Sequence, residues 1–522
     1  MKYIQGQNRS QTYLFPVTLD DAISEDNEVR LIDVFVDSLA LESYGFQIDH
    51  CENGRPAYHP GDLLKLFIYG YMNKIRSSRR LEKESKRNIE VMWLLGNLHP
   101  DHNTISNFRR DNPGAIKKVF METVKIANYF NLIGATLIAG DSTKFRAQNS
   151  KKNNFNQKKI TRHLEYIENK LQEYHEALAQ NDGDDKKQIE DQIEKHKQRA
   201  EGYHEIENQL KESGEPQVST SDPDSRHMIV RNNITEVAYN VQTTVDAKNN
   251  LLIDYKVTNS NDSKAMGNML QRAKSILRTN QFTALYDKGY HTGSEFKIAH
   301  DLNIDTVVAI PGLASQAPNP AYNVENFIYN QQGDYYICPQ NQHLTTTGKR
   351  HKAETYFFKR YTTKACKSCP VKDLCTKATY GKAVQRSEFQ QYIQNNKERV
   401  EQNQAHYKRR QAIVEHPYGT IKRQWGFSYI MTKRSIKRAS ADVGFMMTVY
   451  NLRRIINILG IDRFKRYLED HLSIFLIKIR LWEQRLAYIR ALLFSEKNWE
   501  ASFILPLKQL NFSHISVPNG GF

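Results

Sequence analysis

The chain has 522 residues, a formal net charge of +16 and five cysteines, four of them between positions 338 and 375. That length allows two to four domains with a large core, and the charge points to a polyanionic partner, either nucleic acid or an anionic membrane surface. No apolar segment follows Met1-Lys2 and no run of eighteen apolar residues occurs, so secretion and membrane spanning are not expected; the cysteine pattern suits a reduced compartment and a metal site, and the expected location is cytoplasmic.

Residues 1–130 read as a helical domain, with amphipathic stretches at 60–75, 78–96 and 113–130 and turn chemistry at Asn97 to Asn103. Arg76, Arg79, Arg80, Lys83, Lys86 and Arg87 could line a DNA backbone. Thr104 to Arg110, capped by Asn103, has the size of a recognition helix and would carry Arg109 to DNA. The plainer reading is a small helical bundle with a solvated basic face. Cys51 is an ordinary thiol.

From Gly134 the pattern changes to strands at 135–141, 236–246 and 250–258, the last two joined by a turn at Ala247-Lys248-Asn249. A helix at 262–279, a strand at 282–287, a helix at 293–302 and a strand at 305–310 follow, and then a helix carrying Glu415. Three meandering strands followed by two crossovers predict an α/β, ribonuclease-H-like mixed-sheet core over 131–458. Asp141 and Asp287 each end an apolar run, so each is expected at the carboxyl end of a buried strand. Asp246 and Asp262 read as a turn residue and a helix cap.

Two insertions interrupt this core. In the first, 151–225, Ile160, Leu164, Ile167, Leu171, Tyr174 and Leu178 step by four and three, Asn181 to Asp184 supply a turn, and Ile189 onward resumes the spacing. This predicts a helical hairpin with arms of about 35 Å. The second, 320–395, is a Cys-rich β insertion in which Cys338, Cys366, Cys369 and Cys375 could offer a tetrahedral thiolate set to structural Zn²⁺, with His343 as a substitute ligand; reduced thiols without a metal are the alternative. The tail, 459–522, has no assignable role.

Between Lys397 and Arg438 eleven Lys or Arg stand against three Glu. A lone carboxylate kept among phosphate-attracting groups makes chemical sense as a ligand of a metal ion that the phosphate also touches. Glu415, Asp141 and Asp287 together would form a two-metal phosphoryl-transfer site. Pro417 must either kink the Glu415 helix or stand in its first turn, where the helix N-terminus would help hold a phosphate.

Three motifs, Gly140-Asp141-Ser142-Thr143-Lys144, Tyr286-Asp287-Lys288-Gly289-Tyr290 and Val414-Glu415-His416-Pro417-Tyr418-Gly419-Thr420-Ile421-Lys422, resemble the three acid motifs of bacterial insertion-sequence transposases of the DDE type. The resemblance is to the branch with a Tyr-Arg-Glu-Lys signature. Arg55 to Pro60, Tyr69 to Met72 and Pro100 to Arg109 are similar to the family's helical DNA-binding region. In the signature helix Tyr407 and Arg410 stand one residue earlier than the family spacing from Glu415, whereas Lys422 is in register.

The resemblance implies two Mg²⁺ ions, with Mn²⁺ as a substitute, held by Asp141, Asp287 and Glu415, hydrolysis at each transposon end, and attack of the freed 3′-hydroxyl on target DNA. Its partners would be double-stranded DNA, both terminal inverted repeats and target, and a second copy of the chain in the DNA complex. Tyr407, Arg410, Lys422, Arg423, Trp425, Arg109 and Arg226 are the candidate DNA contacts, Trp425 by stacking on an unpaired base and Arg226 from the loop that holds Asp222 and Asp224. His416 reads equally as a phosphate contact or a packed ring. A DNA-binding protein without catalysis, and a nuclease without strand transfer, are the alternatives.

Overall fold

The computed structural model describes residues 18–47, 56–180, 186–231, 234–312, 316–432 and 434–472. Cys51, Arg55, the expected turn at 181–184 and most of the tail lie outside the described residues. Among the described residues no helix is long and apolar enough to cross a membrane.

Helix α1, Pro60–Met72, starts where His59 Nδ1 accepts from Gly61 N (3.1 Å) and Pro60 supplies a preset φ. It is buried on almost every face, as an apolar helix at the centre of a fold must be. Its one lysine, Lys65, is paired with Asp33 (2.6 Å) and Asp37 (2.8 Å). Helix α2, His102–Asp111, is capped by Asp101, whose Oδ1 accepts from Asn103 N and Thr104 N, so Asn103 already lies inside the helix it was expected to cap. Helix α3, Pro113–Tyr129, follows directly.

The sheet comprises β1 (Leu137–Arg146), β2 (Ile234–Asp246), β3 (Leu252–Thr258), β4 (Thr283–Tyr286) and β5 (Asp305–Val308), in the spatial order β3-β2-β1-β4-β5. The first three strands pair antiparallel, whereas β1 with β4 and β4 with β5 pair parallel. This is the mixed ribonuclease-H-like order read from the sequence. Helices α4 (Met266–Leu277) and α5 (Gly293–Asp301) make the two crossovers. A further strand, Arg226–Arg231, pairs with the start of β2.

Strand β1 runs five residues past Asp141, contrary to the expectation that Asp141 ends it. Its parallel ladder to β4 stops at Ala139–Leu285, but the antiparallel ladder to β2 continues to Arg146–Ala238. The change from apolar to polar residues at Asp141 marks the end of two-sided burial rather than the end of the strand.

Helix α6, Gln390–Gln402, was not foreseen. Its buried Asn396 accepts from Val308 N and donates to Val308 O, both at 2.9 Å, and Arg399 Nε donates to Thr306 O at 2.9 Å. Side chains thus satisfy the outer edge of β5 where another strand would otherwise pair. Helix α7, Gln404–Tyr418, carries Glu415, and helix α8, Ile436–Leu459, closes the sheet face. Phe445 of α8 stacks on Phe67 of α1 (centroids 4.8 Å apart), and one continuous apolar cluster includes α1, α3, α8 and both long strands of the sheet. The N-terminal helices therefore share their core with the sheet domain.

The first insertion forms two packed helices, Gln157–Gln180 and Lys186–Ser213, about 36 and 42 Å long. The second folds as a separate five-stranded antiparallel meander of Ile328–Asn330, Tyr335–Ile337, His343–Lys352, Phe357–Thr362 and Val384–Ser387 around Tyr336, Leu344, Tyr361 and Val384.

Candidate active site

Asp141 sits on β1 opposite Thr243 of β2. The neighbouring Gly140 has no room for a side chain, since a Cβ there would fall 2.0 Å from the Tyr286 ring. Asp287 directly follows β4 and caps the short turn Lys288–Tyr290, its Oδ1 accepting from Gly289 N at 2.8 Å. Glu415 lies exposed in the last turn of α7, where its Oε1 accepts from Gln411 Nε2 at 2.8 Å.

Helix α7 is bonded across onto β1 and β2. Tyr418 Oη donates to Asp141 O (3.0 Å) and pairs with Thr243 Oγ1 (2.6 Å). Lys422 Nζ donates to Thr143 Oγ1 (3.0 Å) and Lys144 O (2.9 Å). Asp141, Lys144, Tyr418, Glu415, Lys422 and Arg423 line one cleft of about 590 Å³. Asp287 is not part of that lining, but its charge acts on Asp141. Among the described residues, no three His, Cys, Asp or Glu side chains are gathered tightly enough to hold one ion.

Burial lifts the Asp141 carboxyl to about 6; Arg410 and the Ser142 N–H oppose the rise, and the nearby charges of Asp287 and Asp262 add to it. Arg410 Nη1 stands 3.5 Å from Asp141 Oδ2. The hard oxygen donors and the negative charge concentrated at Asp141 fit a divalent cation such as Mg²⁺.

Asp262, read from the sequence as a helix cap, is a fourth acid beside the site. Its Oδ1 accepts from Asn240 Nδ2 and Gln242 Nε2, both at 2.7 Å, and its Oδ2 from Lys144 Nζ at 3.2 Å. Burial pushes its carboxyl up, but Lys144 and these hydrogen bonds outweigh it and hold the group below the usual range. Tyr290 completes the chain by donating to Gln242 Oε1. The signal for Asp262 was available in β2, where the amides of Asn240 and Gln242 are buried and require a partner.

Of the expected DNA contacts, Arg410, Lys422 and Arg423 reach the site. Burial and the charge of Lys144 lower the Lys422 ammonium pKa. Tyr407 instead packs against the apolar core. Trp425 is half-buried against Phe427 and Tyr450, so much of its ring is not free to stack on a base. His416 is a packed ring, bonded through Nδ1 to Tyr450 Oη at 2.7 Å.

Arg109 is buried and donates to Tyr71 Oη (2.9 Å) and Arg76 O (3.0 Å), so it faces the interior rather than DNA. Arg76 is buried beside it, over the Phe427 and Tyr429 rings. Arg226 is buried too, donating to Pro223 O and Ser225 O in its own loop. Asp222 and Asp224 of that loop accept from Ser435 N and Ile436 N at the start of α8, which makes them caps. Pro417 lies inside α7, which passes into a π-helical segment, Gly419–Gln424, and does not begin at Glu415.

In the insertion, the half-buried thiols of Cys338, Cys366, Cys369 and Cys375 line a single cavity with Lys382. They share that cavity without being drawn into a cage. Burial raises the Cys375 thiol and the other three cysteines add to it, while Lys382 opposes. Four soft sulfur donors around one space fit Zn²⁺ in kind.

The ribonuclease-H-like sheet thus carries Asp141 on its first strand and Asp287 after its fourth, and α7, which holds Glu415, is bonded back onto the first. Two family models match the chain. One, described as transposase domain (DUF772), spans residues 17–111, and the other, a transposase DDE domain, spans 337–456 and so includes Glu415 and the Cys-rich insertion. The two models together span less than half of the chain, and over those residues it is similar to transposases, the second model being of the DDE type. No curated protein matches it. A solved structure, that of a pre-cleavage Mos1 transpososome, aligns at 12% identity over 51% of this chain and 64% of its own, less than two thirds of its length, with a TM-score of 0.15.

Proposed function

We propose that this chain cuts DNA at the ends of a mobile element and joins the freed 3′ ends to target DNA, with Asp141, Asp287 and Glu415 as the acids of the site. The observation that carries this reading is the bonding of the Glu415 helix onto β1 at Asp141, because it brings acids from two distant segments into one cationic cleft. Bound to the three carboxylates, Mg²⁺, or Mn²⁺ in its stead, would supply an activated nucleophile and a counter-charge for the leaving oxygen.

The protein's own groups would do the positioning. Lys422 and Arg423 face the cleft where a phosphodiester would lie, and Arg410 neutralises Asp141 until a cation and the DNA share that task. Asp262, through Lys144, Gln242 and Tyr290, ties β1 and β2 to the turn after Asp287. Residues 1–130 and the exposed Arg79, Arg80 and Lys83 would contact DNA, residues 131–458 would form the catalytic domain, and the Cys-rich insertion would hold a structural Zn²⁺. Two copies would pair the two element ends at the nucleoid.

Purified protein incubated with its element's terminal DNA and Mg²⁺ should give nicked ends and joined products. Light scattering should show two copies in the complex. Asp287→Ala should bind the same DNA and leave it intact. Cutting by Asp287→Ala at the parent's rate would sink the assignment, and cut ends that never join a target would reduce the activity to that of a nuclease.

A further inference from the structure

The inserted sheet, outside the cleft, carries a charge pattern that its own fold does not explain. Between His343 and Ser387 eleven Lys or Arg stand against Glu354 and Asp373. Arg350, Lys359 and Arg386 lie directly opposite one another across three strands. Like charges in register repel and destabilise a sheet. Asp334 offsets one of them through Lys359 at 2.6 Å, and Arg386 rests over the Tyr329 ring at 3.6 Å. Arg350 is exposed and has no ion-pair partner among the described residues, and the same holds for Lys349, Lys352 and Arg360 around it.

Strand His343–Lys352 is covered by Tyr335–Ile337 only at His343 and Leu344, so its later residues pair on one side alone. Lysine on such an edge can serve merely to discourage aggregation. That purpose does not call for a cationic row that continues in register through the middle strand, Phe357–Thr362. Nor does it account for Tyr380, left 85% exposed on the same insertion.

We propose that this sheet is a second DNA-binding surface, a cationic β-ribbon that grips the backbone of duplex DNA away from the catalytic cleft. The inference rests on the reading of the chain as a DNA-processing protein. Phosphates spaced along this face would supply the counter-charge that Arg350 and Lys352, two residues apart on one strand, lack. The surface would add affinity and orientation without reading sequence.

Fluorescence anisotropy with a labelled duplex of arbitrary sequence, over a series of KCl concentrations, tests it on the full-length protein. For the doubly substituted Arg350→Ala/Lys352→Ala protein, the slope of log K against log [KCl] should shrink by about two, at roughly 0.9 for each phosphate no longer neutralised. Affinity should fall roughly tenfold. The charge-preserving exchange Arg350→Lys/Lys352→Arg should keep the parental slope. Parental slope and affinity in the alanine variant would overturn the proposal, as would a slope lost equally in the charge-preserving variant. Asp287→Ala serves as the independent arm: it should keep the full slope while losing cleavage, so a wrong catalytic assignment shows there and not in the ribbon variants.

Discussion

Removing Asp442 tests whether the N-terminal helices and the sheet domain are joined through one buried charge. Asp442 on α8 is fully buried and faces Arg109 Nη1 at 3.4 Å and Arg76 Nη1 at 3.5 Å, guanidiniums whose side chains are only 4% and 5% exposed. It also accepts from Tyr71 Oη and from Met431 N (2.7 Å). Asp442→Ala leaves two positive charges in the interior with no carboxylate, a change that costs about 3–5 kcal/mol. The loss is held to that range because Arg109 keeps Tyr71 Oη and Arg76 O, and Arg76 keeps Tyr429 O at 2.8 Å. Asp442→Asn preserves an acceptor for Tyr71 and Met431 but not the charge, so it should cost roughly half as much. Equilibrium urea unfolding, followed by far-ultraviolet circular dichroism, reads both as a lower midpoint at unchanged slope. A cost below about 1 kcal/mol for Asp442→Ala would refute the idea that this carboxylate holds the two parts together.

Two further outcomes concern metals. Because the Asp141 carboxyl is lifted to about 6 by burial, it must lose a proton before it can bind a cation; Mn²⁺ affinity followed by electron paramagnetic resonance should fall about tenfold for each pH unit below 6. The same shift means that, for this group alone, the metal-free fold is favoured at acid pH and loses that contribution as pH rises through about 6, the protonated form being the better tolerated. Asp141→Asn should bind Mn²⁺ weakly at every pH, and an unchanged pH profile in that variant would place the titrating group elsewhere. In the insertion, protein purified under reducing conditions should release zinc to a chromogenic chelator when its thiols are titrated with a mercurial. Cys375→Ser should release none and melt at a lower temperature, and a parent protein free of zinc would show that the four thiols are only packing.

The sheet order was legible because each strand announces itself by its own apolar run and the crossovers leave little choice of topology. Asp287 was legible for the same reason, since β4 is buried on both faces and its apolar run stops where the strand stops. Asp141 was harder to place. On β1 the polar residues Ser142 and Lys144 meet Gln242 and Asn240 across the ladder, and the four close around Asp262, so the polar alternation belongs to a half-buried network and not to a turn. Such a network is distributed over three segments and has no local pattern.

The arginines were sorted wrongly for a related reason. Arg79 and Arg109 both occur in basic helical stretches, and their immediate neighbours do not say which is solvated. What decides it is Asp442, more than three hundred residues away, which makes burial of Arg109 tolerable while nothing comparable reaches Arg79. A guanidinium enters a core only when a carboxylate is already there to meet it. It follows that the unpaired cations, and not the basic runs as such, mark where a polyanion can bind. By that criterion the proposed DNA contacts are Arg79, Arg80 and Lys83, Arg423 in the cleft, and Arg350 and Lys352 on the inserted sheet, and they leave out Arg76, Arg109 and Arg226, whose charges are already spent inside the fold.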